Sequence, residues 1–292
     1  MMHVAFRPDG LSDALVRTWI GFILFACLGA APLGAAAGDP RQALEVPEHY
    51  RLGVIPWQSP SKLAGMFLPL ADVLERGLAH PVQFVTAPGY RQFVERVKAR
   101  DYHLVYLNPL LYPQAREAGY RVVARLAGDG MNGILVARQD RAMPSFDQSV
   151  RERRLRLALP SEEAYSARVL REHLGTMGLS LDDFDVEYFG SQDSALLAVH
   201  SGRADISGTC LPSLRSMPEA VRSDLQIVEQ TPPQAAMLLA VRDDVPEAVS
   251  AALVEILVEL HNHGAGQQVL NALGFYEGFA VASEADIAQR SR

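Results

Sequence analysis

The residues best placed to do chemistry form a recurring pattern: a hydroxyl, amide or aromatic side chain just after an apolar, strand-like run. Trp57, Gln58, Ser59 and Ser61 follow "YRLGVIP", Tyr90 follows "VQFVTA", and Tyr106 and Asn108 end "HLVYLN". Further along, Ser161, Tyr165 and Ser166 follow "LRLALP", Ser191 and Gln192 follow "FDVEYFG", and Thr209 with Cys210 closes "ADISGT". A helix starting at such a corner offers backbone N–H groups that lack intrahelical partners, and its dipole favours negative charge there. Several such starts around one cleft can hold a small anion without a buried cation. Taken singly, each residue is equally well explained as an N-cap or a turn residue. The recurrence along two stretches of chain carries the functional reading.

Catalytic patterns do not emerge. His261 and His263 lie two apart on an expected helix, so their side chains diverge and do not share a metal. His103 and His200 are isolated, and Ser166 has no recognisable base. "GDG" at 128–130 reads as a tight turn, "DD" at 182–183 and 243–244 as capping, and neither GxGxxG nor GxxxxGK[ST] occurs. The expectation is a binding protein with no reaction, cofactor or metal.

The 292 residues, 49% hydrophobic and 21% charged, are enough for two ordinary domains with a sizeable core. A formal charge of −7 without a dense basic block argues against nucleic acid, and "RERRLR" at 151–156 reads as a solvated loop. The N-terminal "WIGFILFACLGAAPLGAAAGDP" has the layout of a secretory signal: Arg17 precedes it and an Ala-x-Ala site lies near Ala35 to Ala37. Residues 1–37 are therefore expected to be a cleaved signal peptide of a periplasmic protein. A retained anchor and lipidation at Cys27 are the alternatives. After cleavage Cys210 is the remaining cysteine, so no intrachain disulfide forms.

From residue 50 onward, short apolar runs alternate with amphipathic stretches. Strands are expected at "YRLGVIP", "VQFVTA", "HLVYLN", "RVVARLA" and "GILVARQD", with helices at 61–78, 90–99 and through "LLYPQAREAG". The alternation restarts at "LRLALP" with helices at 164–177 and 192–200, then strands at "ADISGT" and "LQIVEQ". After a final strand-like "AAMLLAVR" come helices at 246–263 and 265–273. This order implies an α/β protein of two lobes, each a mostly parallel sheet flanked by helices. The last helices have no sheet of their own and are assigned to the first lobe. Lobe 1 then comprises 50–136 and 236–292, lobe 2 comprises 137–235, and the chain crosses between them near 135–140 and near 229–236. Two lobes joined by two crossings form a hinge with a ligand cleft between them.

With these motifs the chain resembles the periplasmic solute-binding proteins of the phosphate, phosphite and phosphonate ABC-transporter group, of type II periplasmic-binding-protein fold. The resemblance runs over about residues 50 to 280. It rests on "APGYRQFVERVKARDYHLVYLNP", "GILVAR", "LPSEEAYSARVL", "SQDSALLAVHSGRADISGT" and "TPP". It implies a phosphonate held by two tyrosines, a Ser-Thr pair and a histidine, with two acidic residues for an amino group. The first tyrosine falls on Tyr90 and is kept. The second falls on Met131, the Ser-Thr pair on Ala164 and Tyr165 beside Ser166, the histidine on Gln192, and the acidic pair on Pro212 and Met237. Loss of both carboxylates disfavours an aminoalkyl ligand, while Met131, Met237 and Cys210 admit a more apolar or sulfur-seeking one.

The expected ligand site is thus Trp57, Ser59, Tyr90, Tyr106, Asn108, Met131, Tyr165, Ser166, Ser191, Gln192 and Cys210, closing on a small oxyanion. The expected partner is an ABC-transporter permease. A sensory ligand-binding subunit for a histidine kinase or chemoreceptor is the alternative, and a hydrolase on the same corners is the third reading.

Overall fold

The computed structural model describes residues 47–284 and 287, apart from 129, 142 and 144; the expected signal segment lies outside the described residues. The first lobe opens with β1 (Tyr50–Val54), α1 (Pro60–Leu78), β2 (Val82–Thr86), α2 (Tyr90–Lys98), β3 (Leu104–Leu107), α3 (Tyr112–Glu117) and β4 (Tyr120–Leu126). The second contains β5 (Gly133–Arg138), α4 (Phe146–Glu152), β6 (Leu155–Leu159), α5 (Tyr165–Thr176), β7 (Phe184–Tyr188), α6 (Gln192–His200), β8 (Ile206–Cys210), α7 (Leu211–Arg215), α8 (Glu219–Arg222) and β9 (Leu225–Gln230). The chain then returns through β10 (Leu238–Arg242), α9 (Glu247–Glu259), α10 (Gly264–Leu273) and β11 (Phe279–Val281). The helices α9 and α10 pack on α1, and α9 also packs on β4 and β11, so both belong to the first lobe.

Two mixed sheets result, ordered β11-β4-β10-β3-β1-β2 and β7-β6-β8-β5-β9. In each, the strands fed by helices pair in parallel, β2-β1-β3 and β7-β6-β8. The returning strands β10 and β5 run antiparallel to them, so each sheet is mixed while most of its strands point one way, as expected. Because β5 lies in the second sheet, the first crossing spans 127–132 rather than 135–140, and the second spans 231–237. The apolar run from Gly133 hides this boundary; the break is at the positive-φ pair Gly128 and Gly130.

The two crossings are themselves paired. Met131 N–H donates to Gln234 O at 3.0 Å and Gln234 N–H to Met131 O at 2.8 Å. Thr231 N–H donates to Gly133 O at 2.9 Å, and its hydroxyl accepts from Gly133 N–H at 2.9 Å. A Cβ on Gly130, where φ is +108°, would lie 1.9 Å from Gln234 O, so only glycine fits this close approach.

Apolar spacing explains the layers around the cleft. The stripe Leu63, Phe67, Leu70 and Leu74 buries one face of α1, and both β3 and β8 are buried throughout. At Gly208 in β8 a Cβ would meet Leu159 and Leu170 at 2.5 Å. The absent side chain lets α5 sit close to the sheet, bringing the start of that helix toward the end of β8.

Candidate ligand-binding site

Between the lobes lies a cavity of about 40 Å³, room for about three or four water-sized groups. The first lobe contributes an aromatic wall. Tyr106 sits 5.6 Å from Trp57, 5.3 Å from Phe67 and 5.8 Å from Phe275, measured between ring centroids. These contacts hold the Tyr106 hydroxyl, which has no hydrogen-bond partner among the described residues although the residue is 1% exposed. Tyr90, the first residue of α2, lines the same cavity. Asn108 accepts the Leu111 N–H through Oδ1 at 3.0 Å, which leaves Nδ2 as its donor end.

The second lobe faces this wall with Tyr165, Ser166, Val169, Gln192, Cys210 and Pro212. The Ser166 hydroxyl also lacks a partner, in a residue 6% exposed. Three donors converge on Gln192 Oε1: Thr209 Oγ1 at 2.7 Å, Cys210 N–H at 3.1 Å and Cys210 Sγ at 3.1 Å. They fix the amide so that Nε2, the donor end, is free of them. Tyr165 is spent differently, donating its hydroxyl to Ala235 O at 3.1 Å on the second crossing.

Two of the helices that begin at the cavity, α2 and α5, follow Gly89 and Ala164, and neither residue supplies a side-chain cap. By contrast α6 is capped by Ser191, whose hydroxyl accepts the Ser194 N–H. The cavity is therefore rich in donors: two uncapped helix starts, the hydroxyls of Tyr90, Tyr106 and Ser166, and the amides of Asn108 and Gln192. Among the described residues no acidic or basic side chain lines it. Burial, with Cys210 and Glu163 nearby, holds the Tyr90 proton well above the ordinary tyrosine range. Burial does the same for Tyr106, and pushes Tyr165 up to about 12. Burial also raises the Cys210 thiol, against the pull of its Ser213 and Gln192 hydrogen bonds. All four groups stay protonated at neutral pH, so the hydroxyls keep their power to donate.

The model of the family described as ABC transporter, phosphonate, periplasmic substrate-binding protein matches residues 52–287. The chain belongs to this family. Among solved structures of the fold, PhnD1 from Prochlorococcus marinus in complex with methylphosphonate superposes with a TM-score of 0.73 at 20% identity, covering 84% of this chain and 96% of that one. A binding-protein component of an ABC phosphonate transporter from Pseudomonas aeruginosa gives a TM-score of 0.73 at 13% identity, covering 82% and 83%. The aliphatic sulphonate-binding protein SsuA from Escherichia coli gives 0.60 at 14% identity, covering 84% and 90%. At these identities the superpositions establish the type II binding-protein fold, and the family model establishes a periplasmic phosphonate-transporter binding protein.

Within this family frame, nine of the expected site residues line the cavity: Trp57, Tyr90, Tyr106, Asn108, Met131, Tyr165, Ser166, Gln192 and Cys210. Ser59 and Ser191 do not. Both are N-caps, Ser191 turned to its own helix and Ser59 hydrogen-bonded to Asp193 through backbone N–H at 3.0 Å and hydroxyl at 2.7 Å. The lining also includes Met237 and Pro212, which the family resemblance placed opposite the acidic pair, together with Asn132 and Phe275. Phe275 follows Gly274 at the end of α10, where its N–H donates to Leu270 O at 2.9 Å in a left-handed helix stop. An aromatic residue directly after such a glycine is the signal that points to it.

Proposed function

We propose that this chain captures a small oxyanion bearing a compact apolar substituent and delivers it to an ABC-transporter permease, without catalysing a reaction. The observation that carries the reading is the pair of buried hydroxyls, Tyr106 from one lobe and Ser166 from the other, that line one cavity and, among the described residues, have no hydrogen-bond partner and no charged neighbour in the lining. Each such hydroxyl costs about 1–3 kcal/mol if left unsatisfied, and an acceptor bridging the lobes satisfies both. The donor ends suit an oxyanion, and Met131, Val169 and Met237 offer an apolar wall to its substituent. Among the described residues no carboxylate lines the cavity to pair with an ammonium, which favours a ligand such as the methylphosphonate bound by PhnD1 over an aminoalkyl compound. Residues 1–37 act as the cleaved export signal.

A thermal-shift panel of phosphate, phosphite, methylphosphonate and sulfate tests this. The melting temperature rises with methylphosphonate or phosphite, and the rise disappears when Tyr90 and Ser166 are both changed to Ala. Undiminished affinity in that double variant refutes the site.

A further inference from the structure

Beside the cavity the lobes meet a second time, through hydrogen bonds that join protein directly to protein. The Asp193 carboxylate, in the first turn of α6, accepts the Ser59 N–H and hydroxyl at the start of α1. In return Asp193 N–H donates to Gln58 Oε1 at 3.1 Å, and Gln58 Nε2 donates to Ser213 Oγ at 2.9 Å. One position along, Gln192 N–H donates to Trp57 O at 3.0 Å. Gln58 is 2% exposed and Ser213 is buried with it, while Ser59 and Asp193 are half-buried at the edge of the junction. Lys62, on the first turn of α1, lies near enough to Asp193 for the carboxylate to oppose the loss of basicity that burial imposes on its ammonium.

Asp193 thus does for α1, from the opposite lobe, what the carboxylate of a capping box does within a helix: it accepts the N–H of the N-cap residue, Ser59. Its charge also lies in the first turn of its own helix, where the dipole favours it. Opening the hinge would strip the start of α1 of this acceptor and leave Gln58 without its partners Asp193, Ser213 and Ser216.

We propose that Asp193, with Gln58, is a positioning pair that sets ligand affinity by holding the lobes closed, without lining the ligand cavity. The inference rests on the two-lobed binding reading above. Ligand enters while the lobes are apart and leaves when they part again, so the apparent dissociation constant falls, through slower release, as the fraction of closed protein rises. Asp193 and Gln58 raise that fraction.

The test compares wild type, Asp193→Ala, Asp193→Asn and Gln58→Ala, each first checked for native circular dichroism. Small-angle scattering of protein alone shows a larger radius of gyration for Asp193→Ala and Gln58→Ala. With methylphosphonate as probe, Asp193→Ala weakens binding about tenfold, the loss of one charge-assisted contact across the hinge. The change appears in the dissociation rate while the association rate is nearly kept, and Asp193→Asn, which retains one acceptor oxygen, recovers most of it. Unchanged scattering in both Ala variants overturns the proposal, as does unchanged dissociation. If wild type fails to bind methylphosphonate, the ligand assignment falls, and the scattering still decides the role of Asp193.

Discussion

Two of the places where the lobes meet use the same physics to opposite ends. In the cavity, α2 and α5 start after Gly89 and Ala164 without side-chain caps, and the hydroxyls of Tyr106 and Ser166 have no protein acceptor. At the neighbouring junction, the start of α1 meets a carboxylate that the protein itself supplies, Asp193. One set of donors is satisfied from within and the other is kept for a ligand. The difference lies in whether an acidic residue stands opposite the helix start, and it separates holding the lobes together from recognising what they enclose.

The hardest blow to both regions together is Gly130→Ala. It forces a Cβ toward Gln234 O at a positive φ, and about 2–3 kcal/mol of stability is expected to go, measured by denaturant unfolding. A sharper test makes the cavity resemble the junction. Gly89 has φ −166°, an extended conformation open to any residue, so Gly89→Asp gives α2 its own capping carboxylate. We expect an affinity loss of about tenfold for an oxyanion by calorimetry, with stability unchanged or slightly raised. Smaller again is Thr209→Val, which removes one of the three donors on Gln192 Oε1 and should weaken binding about threefold.

The smallest expected effects concern pH. Burial holds the Tyr90 and Tyr106 protons above the ordinary tyrosine value of 10, so these two hydroxyls should add no pH dependence of their own to affinity below pH 10, measured against the ligand's own ionisation. At the junction the Asp193 carboxyl behaves in the opposite sense. Burial raises its pKa, but hydrogen bonds from Ser59 and Ser191 outweigh this and lower it below 3.8. Its stabilisation is therefore complete above 3.8 and is lost as pH falls through the still lower folded value. Acid-induced opening, followed by scattering, is the measurement.

Much of this was legible in the chain. Alternating apolar runs and amphipathic stretches define the helix-fed parallel strands, and the polar corners mark the cavity from both lobes. Strand direction was less so, because period-two alternation is the same for parallel and antiparallel neighbours, and β10 and β5 owe their reversal to the crossings. β11, three residues long, falls below what alternation can reveal, and Phe275 was missed with it. Ser59 illustrates a deeper limit. Its residue type correctly marks a helix start, but its partner lies 134 positions away, and nothing local distinguishes a serine turned to a ligand from one turned to Asp193.

Cys210 carries a practical consequence. Its thiol is 4% exposed and lines the closed cleft, in a chain whose other cysteine, Cys27, belongs to the expected signal segment. A thiol reagent reaches it only when the lobes part, so its alkylation rate is a built-in clock for opening, one that ligand slows and Asp193→Ala quickens.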